Sequence, residues 1–316
     1  QVLRGPQGTL FGRNSVGGAV LVATKRPEPV FGGELQAKIG NYDGVGGHAI
    51  LNVPLGSEWA VRGVVRQYKR KGYGKNLLTG FDNLNNEDNT EWRVSLQGEV
   101  SSRITLFASY DGVDEASNGR AATPIGTVPA INFTTAVATQ LGLISPSTQL
   151  PAPGSLGEHE TTGLIANGRD ATRIDRVSGA VTWRLADHVT FNLLAGYQKL
   201  RNKSTTDQDG TPALIANASM PNHQQQRYYE GRFSGELLGS RVEWILGGNF
   251  FNEQAAIEVL TNPERATTRS DSLSFVQNQS YAGFAHLSFD VTEQFSIAGG
   301  VRQTYDRRNI QTAVYR

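Results

Sequence analysis

Over most of its length the chain alternates apolar and polar residues with a period of two, and no other feature limits its fold so strongly. Between Trp92 and Val100, Trp92, Val94, Leu96 and Val100 are apolar with Gly98 in phase. Arg93, Ser95, Gln97 and Glu99 fall between them. Successive strand side chains point to opposite faces, so such a ribbon has one greasy face and one polar face. The pattern returns at Ile104–Tyr110, Val177–Leu185, Val189–Tyr197, Tyr229–Leu237, Val242–Phe250, Tyr281–Phe289 and Phe295–Tyr305. With Glu34–Asn41, a partner near His48–Val53 and a ribbon between Trp59 and Tyr68, the alternation predicts about eleven strands.

The spacing between ribbons predicts how they connect. Short links lie around Ser57, Ser101–Arg103, Ala186–His188, Leu238–Arg241 and Asp290–Gln294. Long polar segments lie between the resulting pairs, at about 72–91, 112–172, 200–227 and 252–280. The expectation is strict alternation of tight turns and long loops. Compact soluble domains seldom carry repeated structureless loops of that length. Outer-membrane barrels do, with short turns on the periplasmic side and long loops outside.

Aromatic residues mark both ends of the ribbons. Tyr68, Trp92, Tyr110, Tyr197, Tyr229, Tyr281 and Tyr305 stand on the loop side, about 8 to 13 positions from their short turns. Trp59, Trp183, Trp244, Phe289 and Phe295 stand on the turn side. A tilted strand crosses a bilayer in about 9 to 11 residues, and aromatic belts sit at both interfaces. Aromatics are enriched in any strand, but that enrichment alone would not collect them at both ends.

Composition narrows the function classes. Lys+Arg is 30 and Asp+Glu is 29, a formal charge of +1, without the basic excess of a nucleic-acid binder. The cluster Lys69, Arg70 and Lys71 reads as a strand end meeting a loop. With no cysteine, neither a disulfide framework nor a thiolate metal site can form. No run of about 20 apolar residues is present, so no helix is expected to span a membrane, which leaves a barrel open. Pro27 and Pro29 mark a linker, and Pro124, Pro129, Pro146, Pro151 and Pro153 collect in one large loop. The chain starts at Gln1 without a signal peptide, the expectation being a processed protein or a fragment.

Residues 1–27 read QVLRGPQGTLFGRNSVGGAVLVATKRP. This segment resembles the end of the plug domain in TonB-dependent outer-membrane receptors. Val2, Leu3, Arg4, Gly5, Pro6, Gly8, Leu10, Phe11, Gly12, Gly17, Gly18, Thr24, Lys25 and Pro27 match the family pattern, and Leu21 stands where the family often has Asn. The resemblance continues through GELQAKIGNYD, as a first strand, and LNVPLGSEWAVRG, as a first periplasmic turn. Read from the residues alone, the glycines permit tight turns and close approaches, Pro6 fixes a turn, and Ala19–Thr24 is an apolar run suited to a short buried strand. A phosphate-cradling loop is the rival reading of Gly5, Gly8 and Gly12 before Arg13. The spacing does not fit G-x-x-x-x-G-K-[ST], and no helical pattern follows.

The resemblance implies an all-β fold: an antiparallel transmembrane β-barrel, with about 11 of an expected 22 or so strands, behind the C-terminal piece of an N-terminal plug. The implied division is 1–28 plug and 29–316 first half of the barrel. It implies residence in the bacterial outer membrane, in contact with the lipid bilayer, and active uptake of a scarce ligand: a ferric siderophore first, otherwise cobalamin, haem or an oligosaccharide. TonB and its inner-membrane energising complex would be the partners, with no cofactor, no nucleic acid and no enzymatic chemistry. Within the plug motif, Arg4, Gly5, Pro6, Gly8, Leu10, Gly12, Gly17 and Gly18 are the candidate site residues. Arg4 is expected to pair with carboxylates of the inner wall, since a charge inside the lumen needs a partner. The alternatives are a ligand-sensing, signal-transducing member of the same family and, more remotely, a soluble all-β carbohydrate-active enzyme.

Elsewhere the sequence offers little chemistry. Glu158, His159 and Glu160, and Asp207, Asp209 and Gly210, could touch a metal, but solvated loop clusters are the favoured reading. Asn132–Thr134 and Asn202–Ser204 match glycan acceptors, which matter only in a eukaryotic secreted protein. His48, His188, His223 and His286 are dispersed. No catalytic constellation stands out.

Overall fold

The computed structural model describes residues 2–4, 18–123, 140, 152, 154–164, 168–207, 210–212, 217–261 and 270–315. Sixteen strands are described: β1 (Val2–Arg4), β2 (Gly18–Val20), β3 (Gly32–Gly40), β4 (Gly44–Leu55), β5 (Trp59–Arg70), β6 (Gly74–Asn76), β7 (Phe81–Leu84) and β8 (Glu87–Ser101), then β9 (Ile104–Ser117), β10 (Glu160–Thr161), β11 (Asp170–Ala186), β12 (Val189–Asp207), β13 (Asn217–Leu237), β14 (Val242–Thr261), β15 (Ser270–Thr292) and β16 (Phe295–Tyr315). Eleven of them form one sheet in the order β16-β15-β14-β13-β12-β11-β9-β8-β5-β4-β3. Every pairing in it is antiparallel between neighbours in sequence order. The eleven strands expected from the alternation are these.

Directly paired residues share a face, so the register sorts every side chain. One rung runs Val61, Leu96, Ala108, Gly179, Ala195, Tyr229, Phe250, Tyr281 and Tyr305. A rung on the other face runs Val64, Arg93, Asp111, Arg176, Gln198, Gln226, Glu253, Asn278 and Arg308. The first face is apolar and open. Val94 is 52% exposed, Phe233 41%, Leu246 55% and Val301 67%. Buried apolar residues among those described are five: Ala60, Leu84, Ala218, Ala282 and Phe284. A sheet this large with so small an apolar interior has no second layer to pack on. Its greasy face matches a lipid environment, which supplies the missing contacts.

The marked aromatic residues form bands on that face, except Tyr68, which pairs with Gly46 and Asn89 on the polar face. Tyr229 stacks on Phe250 at 6.2 Å, and Phe250 meets Tyr281 at 4.9 Å. Trp92 lies across Gly112, where a Cβ would come within 2.0 Å of the indole ring. From Tyr281 to Phe289 along β15 is eight residues, roughly 26 Å at about 3.3 Å per residue.

Three expectations need correction. The segments 200–227 and 252–280 are not simply loops, because β12 continues to Asp207, β13 begins at Asn217, β14 continues to Thr261 and β15 begins at Ser270. Above the aromatic band apolar and polar residues no longer alternate, so the contrast that reveals a strand disappears while the backbone ladder continues. Nor is the alternation of tight turns with long loops strict. The first loop-side connection is the three-residue turn Asn41–Asp43, with Tyr42 and Asp43 at φ of 60° and 52°. The segments 72–91 and 112–172 also contain structure, a three-stranded sheet in which β6 pairs β7 antiparallel and β10 parallel.

At the amino terminus β1 and β2 pair, Arg4 opposite Gly18. Gly18 has φ of +136°, and a Cβ there would stand 2.3 Å from the Leu3 carbonyl oxygen, so the position requires glycine. The expected strand Ala19–Thr24 is shorter than predicted, ending at Val20. Gly5, Pro6, Gly8, Leu10, Gly12 and Gly17 lie outside the described residues.

Candidate functional site: the polar face and its loop cap

The polar face carries the linker. Asn52, 4% exposed, stands on this face within β4 and clamps the chain that leads out of the glycine-rich segment. Its Oδ1 accepts the Glu28 N–H at 3.1 Å, and its Nδ2 donates to the Glu28 and Val30 carbonyls, both at 2.6 Å. Pro27 beside them is buried. One residue back, the Arg26 guanidinium lies 4.6 Å over the Phe107 ring and donates to Gln97 Oε1 at 3.3 Å. Gln97 and Phe107 are directly paired on the polar face. Residues 26–30 therefore run along the polar side of the sheet.

Beyond the linker this wall is a field of charges and amides. Arg66 pairs with Glu91 at 3.2 Å. Arg93 pairs with Asp111, the less exposed of the charged pairs on this face. Arg176 donates twice to Gln198 Oε1, at 3.0 and 2.7 Å. The Glu253 carboxylate accepts from Gln224, from Gln226 at 2.8 Å and from Asn278 at 2.6 Å. Lower down, Arg302 lies 5.4 Å over the Phe284 ring and donates to Asn249 Oδ1 at 3.3 Å. A cavity of about 410 Å³ opens between His48, Arg66, Glu91, Arg93, Asp111 and Arg176. Such a wall can hold water and hydrogen-bond a polar solute.

Over one end of the sheet the connecting segments build a cap. Asn76, 1% exposed, is its hub. Its Oδ1 accepts the Leu78 and Thr79 N–H groups at 3.0 and 3.2 Å, and its Nδ2 donates to the Gly163 carbonyl at 2.8 Å. Thr161 and Thr162 hydroxyls donate to the Gly210 carbonyl, both at 3.2 Å. Asn118 and Asn85 tie the segment after β9 to the β6–β7 hairpin. Tyr73 meets Tyr42 at 5.5 Å and His159 edge-on at 4.7 Å. At the outer turn Lys71 and Asp43 pair at 2.7 Å. Their hydrogen bond holds the Asp43 carboxyl below its ordinary range and raises the Lys71 ammonium.

The candidates from sequence fall as follows. Glu160 accepts the Gly157 N–H at 2.8 Å, and Asp207 closes its turn by accepting the Gly210 N–H at 2.9 Å. Glu158, His159 and Glu160 therefore shape the cap, and among the described residues no group of three His, Cys, Asp or Glu is placed to hold a metal. Asp209 and Asn132–Thr134 lie outside the described residues. Arg4 and Gly18 sit in the β1–β2 pair. Sequence reading missed Asn52, Asn76 and Glu253. Asn52 could have been found, since an amide between Leu51 and Val53 in a strand is disfavoured unless it has a partner.

The chain shares 24% identity over 327 residues with the pesticin receptor of Yersinia enterocolitica and 24% over 330 residues with that of Yersinia pestis. Each match covers 98% of this chain and 42% of the relative, so the chain spans less than half the length of these receptors. No family profile matches. Among solved structures, the ferric yersiniabactin uptake receptor FyuA from Yersinia pestis superposes with a TM-score of 0.76 at 19% identity, over 99% of this chain and 45% of that one. The outer-membrane ferripyoverdine receptor of Pseudomonas aeruginosa gives 0.74 at 13%, over 99% and 42%. The open form of the ferric-catecholate import receptor Fiu from E. coli K12 gives 0.70 at 15%, over 98% and 49%. The matched proteins are named as receptors. The glycine-rich motif, the relatives and the eleven-stranded sheet agree: the chain carries the fold of the TonB-dependent outer-membrane receptors, its sheet corresponding to part of their barrel wall.

Proposed function

We propose that this chain is part of an active transporter that takes up a ferric siderophore across the outer membrane, with energy delivered through TonB. The observation that carries this reading is the linker. Residues 26–30 leave the plug-like motif and run along the polar wall, held by Asn52, Gln97 and Phe107. That is the path required if residues 1–28 close a plug inside a barrel whose wall begins at residue 29. The siderophore assignment rests on what the matched receptors are named for: ferric yersiniabactin, ferric catecholate and ferripyoverdine.

Within this reading Arg4, Gly5, Pro6, Gly8, Leu10, Gly12, Gly17 and Gly18 shape the end of the plug, and Arg4 locks it to acidic residues of the wall. The cap would receive the ligand, and the wetted wall would offer amides and charges along its way in. The protein makes and breaks no covalent bond. Its work is differential binding between a closed and an open arrangement.

The test is growth of a deletion strain, complemented by the full-length gene, on single defined ferric siderophores under iron limitation. Uptake of labelled ferric siderophore should require both the receptor and TonB. Uptake unchanged without TonB would refute energised transport. Ligand-dependent transcription with no uptake would identify a sensor instead.

A further inference from the structure

We propose that the recess between Arg93 and Arg176 on the polar wall binds an aromatic oxyanion of the ligand, so that the receptor selects negatively charged, ring-bearing ferric chelates over neutral ones. The inference deepens the siderophore reading and rests on it. The recess holds about 410 Å³, within the roughly 300–1,000 Å³ of small-molecule sites. It spans two neighbouring rungs of the polar face, Arg66–Glu91–Val113–Ile174 and Val64–Arg93–Asp111–Arg176. Ile50 pairs with Val64 at one end, and Val113 with Ile174 at the other. Two aliphatic pairs therefore flank the charges. His48, which also lines the recess, stands four residues from Asn52 along β4, roughly 13 Å toward the cap. The recess thus lies between the linker clamp and the cap, on the way of a solute entering from the loop side.

The charges around the recess do not cancel. Glu91 is taken by Arg66 at 3.2 Å. Asp111 is taken by Arg93 and also accepts the Ser109 hydroxyl at 3.2 Å. Arg176 is paired with Asp111 across the ladder, yet a neutral group holds its guanidinium. Its Nε and Nη2 both donate to Gln198 Oε1, at 3.0 and 2.7 Å. Among the described residues no carboxylate forms an ion pair with it. A guanidinium carries five N–H donors in a rigid fork, so three remain for an incoming acceptor. The amide fixes the fork without neutralising it, which leaves a pre-positioned cation with its charge still to satisfy. Arg66 and Arg93, which serve the wall, face acids instead. The acceptor that fits a planar fork is a planar pair of oxygens, as in a carboxylate or a catecholate. The aliphatic pairs suit the ring that bears those oxygens, since small-molecule sites combine an apolar lining with a few fixed polar groups. A neutral hydroxamate chelate offers neither the charge nor the ring.

The experiment uses the full-length receptor in neutral detergent without TonB, so that binding is read apart from transport. The probes are salicylate, its neutral isostere salicylamide, a ferric tricatecholate and a ferric trihydroxamate. The two small molecules are titrated by ligand-observed NMR, and the chelates by displacement of salicylate. Salicylate should bind the unaltered receptor about tenfold or more tightly than salicylamide, as one charge-assisted hydrogen-bonded contact implies. Arg176→Gln should abolish that preference. Gln198→Ala keeps the charge but frees the fork, and should weaken salicylate about threefold while leaving salicylamide unchanged. The tricatecholate should displace salicylate, and the trihydroxamate should not. If Arg176→Gln fails to fold, Arg176→Lys takes its place. It keeps the charge without the fork and should weaken salicylate roughly threefold or more. Equal binding of salicylate and salicylamide, a preference that survives Arg176→Gln, or displacement by the trihydroxamate overturns the proposal. Displacement by neither chelate, with the dependence on Arg176 intact, would uphold the anion recess and overturn the siderophore reading on which the choice of chelate rests.

Discussion

The lower part of the sheet and the cap above it are held together in opposite ways. Between the aromatic bands the wall leaves Val94, Phe233, Leu246 and Val301 open on its apolar face and buries almost nothing. An apolar surrounding such as lipid tails suits this face in place of a core, and the backbone ladder pairs each wall strand between the two edge strands β3 and β16 on both sides. The cap buries Asn76, Thr161 and Leu84 among side chain to backbone hydrogen bonds. One region depends on an apolar solvent outside the protein, and the other on polar groups sealed within it. A change that is harmless in one should therefore be costly in the other.

The sharpest way to break this contrast is a charge on each. Leu246 lies on a rung with Phe233, Ala285 and Val301, four residues from the girdle residue Phe250. Leu246→Arg should cost about 2–4 kcal/mol of folding free energy in a bilayer, measured by urea-dependent folding of the full-length protein into vesicles. Leu78→Arg, at a position 44% exposed in the cap, should change the same measurement by no more than about 0.5 kcal/mol. Equal costs would mean that the apolar face does not meet lipid.

Asn76→Ala comes next. It leaves the Leu78 and Thr79 N–H groups and the Gly163 carbonyl without their partner, at a cost of about 1–3 kcal/mol confined to the cap. Hydrogen exchange should accelerate across 74–84 and 160–163 while β11–β15 stay protected. Loss of protection in the wall as well would show that cap and wall are one cooperative unit.

Asn52→Ala tests the junction between wall and leader. Three hydrogen bonds to Glu28 and Val30 disappear, and limited proteolysis should cut near residues 26–30 several-fold faster, as expected for a loss of about 1–2 kcal/mol. Barrel stability should hardly move. An unchanged cleavage rate would show that Pro27 and Arg26 alone fix the linker.

The smallest effect is the pH response of the outer turn. Asp43 is held below its ordinary pKa by Lys71, so its contribution is present above the unfolded carboxylate value and fades as pH falls through the lower folded value. Lys71 is raised, so its part persists until pH climbs past the ammonium range. Exchange protection around Gly44 and Lys71 should be level through neutrality and decline only below about pH 4. Asp43→Asn should remove that decline.

Much of the wall was legible because it repeats one rule. Each phase read from the alternation, from Trp92 and Val94 to Phe295 and Val301, lies on a single face of the sheet. The strand ends were illegible where that rule lapses. Lys199–Asp207 and Asn217–Gln225 are largely polar and do not alternate, yet Lys199 pairs with Gln225 and Asp207 with Asn217. The cap was illegible for a different reason. Asn76 meets Gly163 across 87 positions, and no local pattern announces such a contact.

The sequence by itself determined the number of wall strands, which side of each is greasy, the depth of the aromatic bands and the resemblance of residues 1–27 to a plug. All of these follow from a period of two or from a contiguous motif, and both are local. Only the tertiary structure decided how far the strands run, that the loops fold into a cap, that the linker lies along the polar wall, and that Arg66, Arg93 and Arg176 line one recess. Those depend on cross-strand register and on contacts between distant segments, and the energy of a hydrogen bond or an ion pair is set by who the neighbours are rather than by the residue's place in the chain.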